Sequence, residues 1–382
     1  MKILMVAIPN HHFFQWVNQL ERSGYEVYWF DITDGGPEVE RINWINQIKG
    51  WKLKYDYPFR HKIKKTFPFL YKFIQKYNEH KIENVFQKQL NLIKPDIVHC
   101  FEMKLSGLPI LSVMKKHENI KFIYSSWGSD MYFYNELGVQ KKQVQDFFDN
   151  INYLITDCKR DYQIALENGF KTKYLGVFPG NGGILINKYQ IQNLEERNIL
   201  LIKGYDDGVG KAVKVLDAME LLPNSVFKNL EIIVYSADKS VIKKIEKSPF
   251  FSNLKVKIFN RNEFLDNQKL LEIMGKSMIH IGNSVSDGMP NSLLEAMGMG
   301  AFPIQSNPGN VTREIINHGK NGFLITDPLD IYAISDLIVN AIKNYELREK
   351  TMQYNIDFIN KNYNRNVLEN EIINLYKDIY KN

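Results

Sequence analysis

The chain has 382 residues, 44% apolar and 24% charged, a composition that suits a folded globular protein and excludes a disordered or fibrous one. That length suffices for two domains with substantial cores. A formal net charge of +6 is too small to make the whole surface a polyanion binder, and two cysteines, Cys100 and Cys158, are too few and too far apart for a disulfide framework or a clustered zinc site.

The opening MKILMVAIPNHHFF has one early lysine and a short apolar run, without the long h-region of a signal peptide. No later run approaches the roughly 20 apolar residues needed to cross a bilayer, so a cytoplasmic protein is expected. Residues 2–8 read as the first strand, 14–23 as an amphipathic helix and 25–30 as the second strand. The first turn is Pro9-Asn10-His11-His12, with no Gly-x-Gly-x-x-Gly, which disfavours a nicotinamide dinucleotide site.

Residues 49–76 are rich in Lys, Arg and aromatics, including Trp51, Lys52, Arg60, Lys64, Phe67, Phe69 and Tyr71. Such a segment suits the anionic face of a membrane, and a solvated helical insertion is the alternative. Nucleic acid is the other polyanion to weigh, but no recognised binding motif accompanies the patch.

Residues 96–100 and 122–124 continue a first parallel sheet, followed by Ser125-Ser126-Trp127-Gly128-Ser129-Asp130 at a strand exit. A proline and glycines at 179–183 interrupt the periodicity and mark a junction. A second set of strands follows at 198–202, 231–235, 256–259, 277–282 and 323–325. Strand and helix alternate throughout, which argues for parallel sheets with helices on both faces. The apolar repeat Leu368, Ile372, Leu375 and Ile379 marks a terminal helix over about 366–381.

The most informative stretch runs from Ser284 to Leu324. The run 277–282 is a buried strand, Asn283-Ser284 and Asp287-Gly288 leave it, and Pro290 suits the first helical position. The first-turn N–H groups of Asn291 and Ser292 would face the loop and suit a phosphate. Glu295, more than a turn further on, can accept two hydrogen bonds from a ribose diol, and Asp287 can do the same for sugar hydroxyls. Glu314 would open the next helix.

This segment resembles the donor-site signature of glycosyltransferase family 4, retaining enzymes of the GT-B fold. The family usually has two glutamates separated by seven residues; here Glu295 is the second and Asp287 replaces the first. The resemblance implies an α/β GT-B chain of two Rossmann-like domains whose parallel sheets face an interdomain cleft. The N-terminal acceptor-binding domain would span 1–185, with a C-terminal helix 362–382 packing back onto it, and the nucleotide-sugar-binding domain 186–361.

It implies, further, that Glu295 holds the ribose and that the amides of Asn291 and Ser292, after Pro290, hold the diphosphate. Asp287 with the Gly288 and Met289 amides would hold the transferred sugar. In the loop 125–130 Trp127 stands where the family often has a histidine. Asp130 is left as the candidate sugar contact, with a capping role as its alternative. In Lys203-Gly204-Tyr205-Asp206-Asp207-Gly208-Val209-Gly210-Lys211, Tyr205 sits where the family has an arginine, leaving Lys211, then Lys203, to face the diphosphate. A solvated helix-end lysine is the other reading of Lys211.

Asp206 and Asp207 lack the grouped oxygen ligands of a metal site, and neither metal nor other cofactor is expected. The expected activity is retaining transfer of a sugar from a nucleotide-diphosphate donor to a carbohydrate or lipid-linked acceptor, in surface polysaccharide or glycolipid assembly. A nucleotide-sugar epimerase or hydrolase, or a silent sugar-nucleotide-binding subunit, would share the same clamp.

Overall fold

The computed structural model describes residues 1–263 and 265–381, with position 61 described for its backbone only. The expected terminal helix therefore reaches, at 382, outside the described residues. The chain divides into two compact units, one of Met1–Asp157, Asp161–Gly182 and Glu369–Asn382, the other of Cys158–Arg160 and Gly183–Leu368.

The first unit holds seven strands: β1 (Lys2–Ala7), β2 (Glu26–Asp31), β3 (Asn46–Ile48), β4 (Ile97–Phe101), β5 (Lys121–Ser125), β6 (Tyr153–Thr156) and β7 (Lys173–Val177). They lie in the order β3-β2-β1-β4-β5-β6-β7, and every pairing is parallel. A parallel sheet is covered on both faces, so its central strands are apolar along their whole length, and all five residues of β4 are buried.

The polar exception in β4 is His99, and its two ring nitrogens are both bonded. Nδ1 lies 2.6 Å from the Tyr376 hydroxyl and Nε2 lies 2.8 Å from Ser125 Oγ. The indole N–H of Trp16 donates to the same hydroxyl at 3.1 Å. Because an indole can only donate, the Tyr376 hydroxyl accepts from Trp16 and also pairs with His99 Nδ1, while His99 Nε2 pairs with the Ser125 hydroxyl. Burial pushes the imidazole down to about 3, so it is neutral. Tyr376 belongs to the helix Arg365–Lys381, whose Ile373 carbonyl also accepts from the Tyr25 hydroxyl at 2.9 Å.

The second unit holds six strands: β8 (Ile199–Lys203), β9 (Glu231–Ala237), β10 (Lys255–Asn260), β11 (Ser277–Gly282), β12 (Phe302–Ser306) and β13 (Phe323–Ile325). Their order is β10-β9-β8-β11-β12-β13, again all parallel. Alternation along β8 sends Leu200 and Ile202 into a core with Val215, Leu216, Ile334 and Ile338. Leu201 goes to the other face, with Met274, Ala296 and Met299. The direction of chain progression reverses between β8 and β11, the switch point outside which open α/β sheets bind ligands.

The fold departs from the sequence reading in several places. The first helix begins at His11 rather than 14, because Asn10 Oδ1 accepts the Phe13 N–H at 2.8 Å and fixes the start there. The short strands β3, β6 and β7 were not anticipated. Glu314 closes a 3₁₀ turn, Thr312–Glu314, instead of opening a helix, and its carboxylate accepts the Lys159 and Arg160 N–H groups at 2.9 Å each. Among the described residues no helix is long and apolar enough to cross a membrane.

Candidate functional site

Two loops leave the switch point of the second unit, 204–211 after β8 and 283–290 after β11. They are tied side by side. Lys211 N–H donates to Asn283 O at 2.9 Å, Val285 N–H to Val209 O at 3.0 Å, and Asn283 Nδ2 to Lys211 O at 3.3 Å. Gly210 lets the first loop fold back on itself: a Cβ there would lie 2.4 Å from the Tyr205 carbonyl oxygen, a backbone atom that cannot move aside. Asp207 Oδ1 accepts the Gly210 N–H at 3.0 Å and holds the turn.

The second loop runs into the helix Asn291–Gly298. Pro290 is its N-cap, with φ −68° and ψ 116°, one position earlier than expected. The Leu293 and Leu294 N–H groups both turn to Pro290 O, at 3.0 and 3.2 Å. The Asn291 and Ser292 amides thus stand ahead of the helix's own hydrogen-bond ladder, at the positive end of its dipole. Leu293, Leu294 and Met297 are fully buried and anchor the helix.

The two acids of the signature sit around this turn. Asp287 is half-buried and Glu295 is 7% exposed. Burial raises the Asp287 carboxyl above the usual range, while Lys203, Arg160 and the Gly288 N–H draw it back. Burial raises Glu295 to about 7, opposed by the Asn267 side chain and by Lys203. Beneath them the Tyr235 hydroxyl lies 3.0 Å from His280 Nε2, and burial, then Lys203, keeps His280 neutral at about 3.

Lys203, the last residue of β8, is therefore the cation that both acids feel. Its Nζ lies 4.7 Å from the centre of the Tyr205 ring, and Arg261, just past β10, brings its guanidinium carbon to 3.9 Å from the same ring. Arg261 is held by Asp207 at 2.9 Å and Asp238 at 3.0 Å. Asp206 is engaged elsewhere, its Oδ2 accepting from Ser240 Oγ at 2.8 Å. Lys211, ranked first from sequence, donates its ammonium to the Gly208 carbonyl at 2.7 Å and precedes the helix Ala212–Glu220.

The Gly288 N–H faces the Asp287 carboxylate, so it orients the acid. Met289 packs its side chain in the core with Leu293 and Val311, which leaves only its backbone for the loop. Sequence reasoning missed Arg261, Arg160, Asn267, Tyr235 and His280. Arg261 could have been found from its place at the carboxyl end of a parallel strand, whereas the others are brought in by packing alone.

In the first unit, Asp130 is 3% exposed and takes three donors: Met103 N–H at 2.7 Å, the Tyr124 hydroxyl at 2.6 Å and Trp127 N–H at 2.9 Å. These bonds tie Asp130 to β5, to the segment after β4 and to its own loop. Burial lifts it to about 6 and the neighbouring Glu102 to about 8, the latter also through the Asp130 charge. Glu102, just after β4, has a strained backbone, φ 72° and ψ 132°, and its carboxylate accepts the Leu105 N–H. Trp127 stands edge-on to His12 with ring centres 6.4 Å apart.

Comparison with known proteins agrees with this architecture. The family described as Glycosyl transferases group 1 matches residues 186–358, and the family described as Glycosyl transferase 4-like matches residues 2–158. No curated protein sequence matches significantly. Among solved structures, sucrose-phosphate synthase of Thermosynechococcus elongatus is 14% identical, with 100% of this chain and 99% of that one covered at a TM-score of 0.71. HepE of Anabaena, in complex with UDP and glucose, is 12% identical over 99% of this chain and 100% of its own, TM-score 0.68. A UDP-forming trehalose-phosphate synthase of Burkholderia xenovorans is 10% identical over 99% of each chain, TM-score 0.67. At these identities the likeness is one of fold. The two family matches together span most of the chain, which therefore belongs to the GT-B glycosyltransferases, the assignment that its family 4 signature implied.

Proposed function

We propose that this chain transfers a hexosyl group, with retention, from a nucleotide-diphosphate sugar to a carbohydrate or lipid-linked acceptor in surface polysaccharide or glycolipid assembly. One observation carries the reading: Lys203, Asp287 and Glu295 converge at the carboxyl ends of β8 and β11, beside the start of the helix Asn291–Gly298. A cation, two acids and exposed-end amides match the charge sequence of a ribose, a diphosphate and a sugar. HepE of Anabaena has been solved with UDP and glucose and with UDP-glucose, so UDP-sugars are the first donors to try.

In this scheme Glu295 receives the ribose diol. Its burial makes each such bond strong, and the lone pairs not used by Asn267 are available for it. Lys203 and the Asn291 and Ser292 amides take the diphosphate, and Lys211 is the second cation within the same loop pair. As the bond to the sugar breaks, negative charge grows on the leaving phosphate, and preoriented donors lower the barrier without reorganising. The leaving phosphate then accepts the acceptor's proton on the same face. No enzymic nucleophile is needed, and Asp287, oriented by the Gly288 N–H, positions the sugar. Asp130 fixes the shape of the loop 125–130 in the first unit. No metal enters the scheme.

The acceptor would be taken at an anionic membrane surface through 49–76, by a protein that is otherwise cytoplasmic, and no nucleic acid is involved. The test is nucleotide release from UDP-, GDP- and ADP-sugars with and without acceptor. Acceptor-dependent release supports transfer. Release with an altered free sugar and no acceptor overturns it in favour of an epimerase or hydrolase.

A further inference from the structure

Residues 60–78 form two helices, Arg60–Thr66 and Pro68–Asn78, joined at Phe67. Between 59 and 78 the sequence has Arg60, Lys62, Lys64, Lys65, Lys72 and Lys76 and no acid, so this hairpin carries the whole net charge of +6 and the rest of the chain is balanced. Most of its large apolar residues face outward, while Ile63, Tyr71 and Ile74 are half-buried. Phe69 is 86% exposed, Phe73 57% and Tyr77 63%, and their spacing of four puts them on one stripe of the second helix. Phe59 and Phe67 are exposed as well. Of the described side chains of 59–78, only Gln75 is buried.

Single exposed aromatics are ordinary, but five large ones on a twenty-residue basic hairpin are not. Water alone gives no reason for them. An anionic lipid surface does, because it takes aromatic rings at the headgroup boundary and attracts Lys and Arg.

Beneath the hairpin lies a cavity of about 520 Å³, lined by Arg60 and Lys64 from one turn of the first helix, Tyr71 from the second, Lys52, and the loop Thr33–Gly36 that follows the carboxyl end of β2. Three acids also line it. Asp34 is occupied by the Gly50 and Lys52 N–H groups at 2.6 and 2.7 Å. Asp56 stands 3.8 Å from Arg60, and Glu79 stands 3.9 Å from Lys52. Both ion pairs are beyond hydrogen-bond length, and Lys64 lies 5.8 Å from the Tyr71 ring centre.

We infer that the hairpin 60–78 docks on an anionic phospholipid surface, with Phe69, Phe73 and Tyr77 at the headgroup boundary and Arg60 and Lys64 holding one lipid phosphate in the adjoining cavity. This deepens the membrane reading above and rests on it only for what the surface delivers. Vesicle binding needs no donor turnover, so the two can fail separately.

The test is cosedimentation of the full chain with phosphatidylcholine vesicles, with and without phosphatidylglycerol. The wild type should partition to the anionic vesicles alone, and less as salt is raised. R60Q/K64Q should partition about 30-fold more weakly. F69S/F73S should lose at least as much, while both variants keep the wild-type circular dichroism spectrum and the same thermal shift with nucleotide sugar. Equal partition to both vesicle types, unchanged partition of either folded variant, or binding of single-stranded RNA in place of vesicles overturns the proposal.

Discussion

The guanidinium of Arg261 lies over the ring of Tyr205, 3.9 Å from its centre, and so a cation just past β10 reaches the loop position where the family has an arginine. Lys203 approaches the same ring at 4.7 Å. The tyrosine thus gathers two positive charges at the exit of β8. Tyr205→Phe keeps the ring and should behave as wild type, whereas Tyr205→Leu should lower stability by about 1 kcal/mol. Thermal unfolding of the pair checks this, and equal melting temperatures would remove the ring from the account.

Asp287→Asn keeps the size of the side chain but removes the charge that Lys203 and Arg160 hold in place. Steady-state transfer should fall on the order of 100-fold in kcat, with donor affinity changed much less. Near-normal turnover would show that Asp287 does not position the sugar.

Glu295 gives a pH signature. Its folded value of about 7 lies above the unfolded value, so in the window between about 4.5 and 7 the folded chain holds a proton that the unfolded chain has released. Stability is therefore lost as pH rises through that window, by about 3 kcal/mol once the group is ionised. Glu295→Gln should leave unfolding at pH 4 almost unchanged and raise the melting temperature at pH 8. Donor binding should run the other way in the wild type and tighten as pH rises through about 7, because a diol donates to the carboxylate.

Tyr376→Phe removes the hydroxyl that links Trp16 to His99. It strands a buried indole N–H and a buried ring nitrogen, which costs about 1–3 kcal/mol. Chemical denaturation should show that loss, while the donor-induced thermal shift stays as in the wild type, since the relay lies in the other unit.

The long apolar strands and the signature loop were legible because each is fixed by local chemistry. The run 277–282 is buried on both faces, and the Asp287-Gly288 turn with Pro290 ahead of a helix is written in residue types that admit few conformations. Strands β3, β6 and β7 were not, since three to five residues of mixed polarity carry no period of their own and exist by pairing with a neighbour. The ranking of Lys211 over Lys203 followed motif position, but what an acid feels depends on strand register, which brings Ile202 beside Ile281 and so sets Lys203 at the exit of β11. Arg160 and Asn267 reach the acids from distant segments, which no single stretch of sequence reveals.

The measurement that bears most directly on the account is a thermal-shift series of UDP-, GDP- and ADP-sugars on the wild type and Glu295→Gln, since a ligand bound only by the folded state raises its melting temperature. One nucleotide class should stabilise the wild type by several degrees at pH 8, at about 2–4 °C per kcal/mol for a unit of roughly 150–250 residues, and Glu295→Gln should lose most of that shift. A donor that stabilises both proteins equally would contradict the account.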